Sequence, residues 1–146
     1  LTSISSAFTP EPISTRDGAT RIRTGSVWED IAGYCRAQRI GDQIFVSGTT
    51  AVSGKDRPVA PTDAGAQTTY ILDRILTAIT ALGGKSEDVV RTRIYVVNNA
   101  DVESVAQAHG RVFGETKPAN TLVRVAGLVG DHLVEVEAEA IVRSPS

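Results

Sequence analysis

The stretch Leu133-Val-Glu-Val-Glu-Ala-Glu-Ala-Ile-Val142 alternates apolar and acidic side chains along most of its length. Successive side chains of a β-strand point to opposite faces, so this period of two predicts a strand with one apolar and one charged face. The apolar face carries Val134, Val136, Ala138 and Ala140, and the charged face carries Glu135, Glu137 and Glu139. The apolar side chains belong under helices, whereas the carboxylates need water or another chain beside them.

Further segments are predicted to lie beside this strand in a sheet. Tyr34 to Ile40 and Gln43 to Ser47 flank Gly41-Asp42, which is typical of a two-residue hairpin turn. Thr20 to Val27 is a candidate first strand, and Trp28 to Gly33 fits a loop equally well.

Two other strands are predicted, each with a polar face. β-Branched residues indicate a strand from Val89 to Val97, with Arg91, Arg93, Tyr95 and Val97 opposite the helices. Pro118 is tolerated at the start of a strand that runs to about Val125. In that strand we expect Thr121, Val123 and Val125 under the helices and Asn120, Leu122 and Arg124 on the opposite face.

Two segments have the period of an amphipathic helix. Ala64 to Leu82 has one apolar stripe, with Asp63 as N-cap and Gly83-Gly84 as C-terminal stop. The second helix runs from Val102 to about Phe113. The order of elements predicts an α+β fold, a six-stranded mixed sheet with both helices on one face. We expect an irregular arm over residues 1–19 and a single domain over 20–146.

Composition excludes several classes of protein. The chain has 146 residues, 41% of them hydrophobic, which suits one globular domain. Its net charge of -2, with acids and bases interspersed, does not indicate nucleic-acid binding. Cys35 is the single cysteine, which fits a reducing compartment. No apolar run approaches the roughly 20 residues of a membrane span, and the N-terminal residues do not resemble a secretory signal, so we expect a cytoplasmic protein.

The charged face of the sheet has two interpretations. It is either solvated, with ion pairs between neighbouring strands, or it is a semi-polar interface where sheets of several subunits meet. Leu122, Tyr95 and Val97 among the charges favour the interface. Small-molecule sites would then lie between the chains.

The order of several short motifs resembles the RidA (YjgF) family of reactive-intermediate deaminases, from about Tyr34 to Val142. The matching pieces are Tyr34, Gly41-Asp-Gln-Ile-Phe-Val-Ser-Gly48, the helix with Gln67, Asp88-Val-Val-Arg-Thr-Arg-Ile-Tyr-Val96, Pro118-Ala119 and Val134-Glu-Val-Glu-Ala138. The resemblance implies a homotrimer around a central barrel, with active sites in clefts between subunits. It also implies hydrolysis of 2-imino or 2-enamino acids to 2-keto acids and ammonia, without metal or organic cofactor.

The resemblance also implies roles for particular residues. Glu135 corresponds to a glutamate that positions or activates water, Tyr34 to a cleft-lining tyrosine, and Ser47, Gly48 and Thr49 to a strand end whose backbone lines the cleft. The family arginine that follows Pro-Ala and pairs with the substrate carboxylate is Asn120 in this chain. An uncharged amide cannot form the bidentate ion pair of an arginine. Leu122 takes the place of a cysteine that some members have.

Arg93, Tyr95 and Arg124 complete the candidate substrate-binding residues, and either arginine is able to supply the missing positive charge. The alternative is that these arginines pair with acids such as Glu135 or Glu137. His109 fits a packing role on its helix, and its spacing from His132 is not that of a metal site.

Three hypotheses about function follow. The first is a hydrolase that deaminates a small imine, enamine or related metabolite, with recognition altered by Asn120. The second is a non-catalytic protein of the same fold that binds a small metabolite. The third is a structural or interaction role in which the polar face contains only ion pairs.

Overall fold

The computed structural model of the chain describes residues 11–14, 17–54 and 57–143. The strands are β1 (Glu11–Ser14), β2 (Thr20–Arg23), β3 (Ala37–Ile40), β4 (Gln43–Thr49), β5 (Val52–Ser53), β6 (Arg57–Pro58), β7 (Val89–Val96), β8 (Ala119–Arg124) and β9 (Val134–Ile141). The helices are α1 (Val27–Ala32), α2 (Ala64–Ala81) and α3 (Val102–Phe113), with 3₁₀ turns at Ser86–Asp88 and Asn99–Asp101.

The predicted α+β class with a mixed sheet is confirmed. In the described residues, seven strands form one sheet in the order β1-β2-β3-β4-β9-β7-β8, and β5 and β6 form a separate small hairpin. Only the β7–β8 pair in that sheet is parallel. The sheet therefore has one strand more than predicted, because Glu11–Ser14 pairs with β2. The expectation of an irregular arm is wrong for these four residues, while residues 1–10, 15 and 16 lie outside the described part.

The core lies between the sheet and the two long helices. The stripe of α2 is buried as predicted, and Asp63 Oδ1 accepts a hydrogen bond of 3.0 Å from the Ala66 N–H. Gly83 has a φ of +90°, a left-handed conformation that suits glycine after the last turn of a helix. Gln67 is buried on this helix, and its Oε1 accepts the Leu133 N–H at 3.1 Å, which ties the start of β9 to α2.

The faces of β9 are as predicted. Val134, Val136, Ala138 and Ala140 are buried in the core, and the three glutamates between them lie on the opposite face, which we call the open face. Strand β7 follows the same alternation, with Thr92, Ile94 and Val96 buried under the helices.

The predicted faces of β8 are wrong. The parallel register pairs Asn120 with Thr92 and Leu122 with Ile94, so Asn120, Leu122 and Arg124 lie on the helix side. Thr121 and Val123 lie on the open face instead. The alternation was uninformative because Leu122 and Val123 are both apolar, and β8 is an edge strand with little burial on either side. Its faces are set by pairing with β7 rather than by its own pattern.

Two smaller elements also differ from expectation. Trp28 to Gly33, which fits a loop on sequence, is mostly the short helix α1, capped by Ser26 and ended by Gly33 at a φ of 74°. The first strand of the predicted hairpin begins at Ala37 rather than Tyr34, although the turn at Gly41-Asp42 is confirmed. Among the residues described, no helix combines the length and the apolar character that a membrane crossing requires.

Candidate functional site

The β3–β4 hairpin brings together the predicted site residues of the amino-terminal half. The pairing with β4 extends to the residue that precedes β3, because the Ser47 N–H donates to the Arg36 carbonyl at 2.9 Å. The Ser47 hydroxyl donates to the Cys35 carbonyl at 2.8 Å. The register between β4 and β9 then shifts between Val46 and Thr49. Such an irregularity redirects the strand, and here it brings the end of β4 to Glu135.

Gly48 and Glu135 are in close contact. A Cβ atom at position 48 would overlap the Glu135 carboxylate, so glycine is required for the carboxylate to lie where it does. Among the described residues, no donor lies within hydrogen-bonding distance of the Glu135 oxygens. The carboxylate is half-buried and available to water or a ligand.

Arg36 is the cation of this site, and the sequence analysis did not single it out. Its Nη1 donates to the Gly48 carbonyl and to Thr49 Oγ1, the latter at 3.0 Å. Its Nη2 donates to the Tyr34 hydroxyl at 3.4 Å, and the guanidinium carbon lies 5.6 Å from the centre of the Tyr34 ring. One guanidinium therefore holds Tyr34, Gly48 and Thr49 in a fixed arrangement.

Glu29 supplies the counter-charge of Arg36. Its side chain is fully buried and its Oε2 lies 3.9 Å from Arg36 Nε, whereas the arginine side chain is 12% exposed. The Glu29 carboxylate also accepts the Thr24 N–H at 3.0 Å and the Thr24 hydroxyl. A buried carboxylate with these partners fixes α1 and the end of β2 against the site.

Burial raises the pKa of Glu135 above its usual value. The positive charge of Arg36 opposes this effect, and the neighbouring charge of Glu137 adds to it. A carboxyl group with a raised pKa holds and releases a proton closer to neutral pH than an exposed one does, which suits acid–base chemistry.

A second cluster lies next to Glu135 on the open face. Arg93 Nη1 lies 2.8 Å from Glu139 Oε2 and 3.3 Å from Glu137 Oε2. The Tyr95 hydroxyl donates to Glu137 Oε1 at 2.6 Å, and this bond raises the pKa of the phenol. Tyr95 is also the register partner of Glu135 across β7 and β9. Arg93 thus forms ion pairs with neighbouring acids, which was the alternative to a role in ligand binding.

The third group of predicted residues lies apart from Glu135, on the helix side of β8. Asn120 Nδ2 donates to Thr92 Oγ1 at 2.9 Å, and this oxygen lies 2.8 Å from His109 Nε2. Arg124 Nε donates to the Val97 carbonyl at 3.2 Å, and Leu122 packs against the core. Strand β7 separates β8 from β9, so one chain alone does not bring Asn120 to Glu135.

Sequence reasoning missed Arg36, Glu29 and the Thr92–His109 contact. The hairpin register that follows from the turn at Gly41-Asp42 places Arg36 opposite Ser47, so the sequence does contain a signal for its position. Glu29 offered no comparable signal, since its segment has no clear period. Across the described ranges, no group of three or more His, Cys, Asp or Glu side chains is placed to hold a metal ion.

Comparisons with known proteins agree with this geometry. The family model described as Endoribonuclease L-PSP matches residues 25–142. A crystal structure of Rv2704 from Mycobacterium tuberculosis, described as a member of the YjgF/YER057c/UK114 family, is 40% identical, with a TM-score of 0.76 over 85% of this chain and 99% of that one. The structure of the YjgF gene product from E. coli is 31% identical, with a TM-score of 0.69 over 75% of this chain and 88% of that one.

A curated relative carries the name of an enzyme. The 2-iminobutanoate/2-iminopropanoate deaminase of Escherichia coli strain K12 is 34% identical over 116 residues, which is 77% of this chain and 90% of the relative. The chain belongs to the YjgF (RidA) family, because the family model matches residues 25–142 and the Rv2704 structure superposes over 99% of its own length.

Removing one partner of the buried pair between Glu29 and Arg36 should destabilise the fold strongly. Glu29→Gln leaves the buried guanidinium without its counter-charge, and we expect the free energy of unfolding to fall by about 3 kcal/mol. The matched control is Asp30→Asn, because Asp30 is exposed and pairs with the exposed Arg23. That variant should lose less than about 1 kcal/mol. Urea unfolding of the purified variants measures both values, and equal losses would contradict the proposed role of Glu29.

The raised pKa of Glu135 should make its effect on stability depend on pH. The folded chain holds this proton more tightly than the unfolded chain, so the stabilising contribution is complete at acidic pH and is lost as the pH rises through the raised pKa. Glu135→Gln does not titrate, so its melting temperature relative to the wild type should increase between about pH 4 and about pH 8. The exposed Glu115→Gln is the control. A pH dependence for Glu135→Gln no larger than that of the control would refute the assignment.

Proposed function

We propose that the protein is a deaminase-like hydrolase that releases ammonia from a small imine, enamine or related metabolite. The observation that supports this most is the Glu135 carboxylate, which is half-buried, has a raised pKa, and lacks a hydrogen-bond donor among the described residues. Relatives of the chain are named as deaminases of 2-imino acids and of 3-aminoacrylate. The net charge of -2 and the carboxylates at the site do not favour an RNA substrate.

Glu135 acts as the proton carrier in this proposal. As the oxygen of water bonds to the imine carbon, the carboxylate takes one proton of the water, and the C=N electron pair moves to nitrogen. Glu135 then delivers that proton to the nitrogen, which gives a neutral carbinolamine and restores the carboxylate. In the resulting carbinolamine the C–N bond breaks, the hydroxyl oxygen forms a C=O bond, and its proton passes through Glu135 to the departing ammonia. The same carboxyl group thus serves as base and as acid. Tyr34, Ser47, Gly48 and Thr49 shape the pocket beside it.

The proposed active site is a cleft between copies of the chain in a homotrimer. Several apolar side chains lie on the open face among the charges and are 39–50% exposed: Ile40, Phe45, Val123 and Ile141. An exposed apolar set on a charged sheet favours contact with another chain. In such an assembly the edge strand β8 of one copy, with Asn120, Leu122 and Arg124, is able to approach the Glu135 site of the next, which one chain alone does not achieve.

Asn120 in place of arginine should alter substrate recognition. An arginine binds a carboxylate through two charged hydrogen bonds, and an amide cannot replace them. We therefore expect poor turnover of simple 2-imino acids. Asn120→Arg should restore part of this activity.

A binding protein without catalysis is the second candidate function. It is favoured by the second cluster, in which Arg93 and Tyr95 are held by Glu137 and Glu139. Neither residue is therefore a free acid–base partner for Glu135. A metabolite that raises the melting temperature but is not converted would support this alternative, because a ligand stabilises the native state by mass action.

The proposed assembly predicts a mass in solution of three times the 15.4 kDa protomer. Light scattering after size-exclusion chromatography at micromolar concentration measures it. Val123→Glu places a charge on the open face and should shift the mass towards one protomer. Thr80→Glu is the control on the exposed side of α2 and should leave the mass unchanged. A wild-type mass of one protomer would refute the assembly.

The proposed chemistry predicts ammonia release that depends on Glu135. The substrate panel consists of imines generated in the assay by amine oxidases and amino-acid oxidases. The enzymatic rate is the rate of ammonia release minus the rate of spontaneous hydrolysis in buffer. Glu135→Gln should lower the enzymatic rate by at least about 100-fold, because positioned acid–base groups contribute factors of this order. Glu115→Gln should retain full activity. Absence of release from every member of the panel by the wild-type protein would rule out the deaminase.

A further inference from the structure

The amide of Asn120 has a defined orientation. Its Nδ2 lies 2.9 Å from Thr92 Oγ1 and 3.5 Å from the Thr92 backbone carbonyl. A carbonyl only accepts hydrogen bonds, so the NH₂ group must face Thr92, and the Oδ1 atom points away from it. No donor of the described residues reaches Oδ1. At the position where a family arginine presents donors, this chain presents an acceptor.

A chain of hydrogen bonds holds that orientation. Thr92 is fully buried, and its hydroxyl lies 2.8 Å from His109 Nε2. Burial lowers the pKa of His109, which favours the neutral ring. In the neutral tautomer with its proton on Nδ1, His109 Nε2 accepts the Thr92 hydroxyl proton, and the hydroxyl oxygen accepts from Asn120. In this arrangement, turning the amide to offer its donors to a ligand would break its hydrogen bond to Thr92.

The cation of the Glu135 site is already neutralised. Arg36 has the buried Glu29 at 3.9 Å, and the charge of Glu135 acts on it from the other side. Its Nη atoms donate to Gly48, Thr49 and Tyr34. A carboxylate brought to this site would add a third negative charge around one guanidinium and would compete with its existing partners.

We infer that the site selects neutral or cationic ligands, in which a hydrogen-bond donor such as a carboxamide N–H or an ammonium occupies the place of a substrate carboxylate. Two independent observations support this selection: Asn120 presents the acceptor Oδ1, and the charge of Arg36 is already neutralised. The inference rests on the proposed function and names its substrate class: imines or enamines that lack a carboxylate beside the C=N carbon. Their hydrolysis consumes one water and yields a carbonyl compound and ammonia.

A matched pair of probes tests the selection. 2-Oxobutanoate and 2-oxobutanamide share one skeleton and differ in carrying a carboxylate or a carboxamide. Calorimetric titration of the intact protein with each probe should show tighter binding of the amide by at least about tenfold, or about 1.4 kcal/mol. Equal affinities, tighter binding of the carboxylate, or no binding of either probe would overturn the inference.

Variants assign the preference to Asn120. Asn120→Leu removes the acceptor and should abolish the preference, and Asn120→Arg should reverse it. Thr92→Val releases the amide and should bring the ratio of affinities towards one. Circular dichroism checks that this buried substitution leaves the fold intact, and Asn120→Leu carries the test if it does not. The control Asn99→Leu, on an exposed 3₁₀ turn, should keep the wild-type ratio. An unchanged ratio in Asn120→Leu would exclude this residue as the determinant.

Turnover separates this inference from the proposed function. Imines made by an amine oxidase lack the carboxylate, and those made by an amino-acid oxidase carry it. Faster ammonia release from the imines without a carboxylate supports both the deaminase activity and the ligand selection. Equal or faster release from the imines with a carboxylate supports the deaminase activity and overturns the ligand selection. Selective binding of the amide with no release from either kind overturns the deaminase and leaves the selection standing.

Discussion

The alternation of β9 is the constraint on which the structure depends. This strand lies between β4 and β7, with four apolar side chains buried and three glutamates on the open face. A shift of one residue would bury the carboxylates and expose the valines, at a cost of several kcal/mol for each unpaired charge. The register is therefore strongly fixed. It places Glu137 beside Arg93, Glu135 beside Tyr95, and the end of β4 against Glu135.

The site shows how charge is distributed around one guanidinium. Arg36 organises the end of β4 through its hydrogen bonds to Gly48 and Thr49, and Glu29 cancels its charge from the buried side. A guanidinium with these partners orders the strand end while its charge is already opposed by the protein's own carboxylates. The open face repeats the arrangement, since Arg93 is shared by two carboxylates. In both clusters the arginine is paired with carboxylates of the same chain.

Sequence reasoning succeeded where one face of an element is buried and failed where neither is. The period of β9 and the stripe of α2 predicted the class of fold and the position of Glu135, because burial imposes a pattern on the residues. Strand β8 has little burial on either face, and Leu122 alone among its residues is partly buried. Burial therefore imposes no clear alternation on its sequence, and the two faces were predicted the wrong way round. Glu29 was invisible for a related reason: its partner Arg36 lies on another element, and no local pattern joins the two.

The attachment of α1 through Glu29 has a consequence for any shortened form of the protein. The sheet from β3 onward, together with α2 and α3, contains most of the buried core, so a chain that begins after Gly33 would keep much of its hydrophobic interior. It would nevertheless lack Glu29, and the charge of Arg36 would be opposed by Glu135 alone among its described neighbours. Trimming the amino-terminal segment would thus remove one of the two negative charges around Arg36, and we expect the shortened chain to bind anions more tightly than the chain that keeps α1.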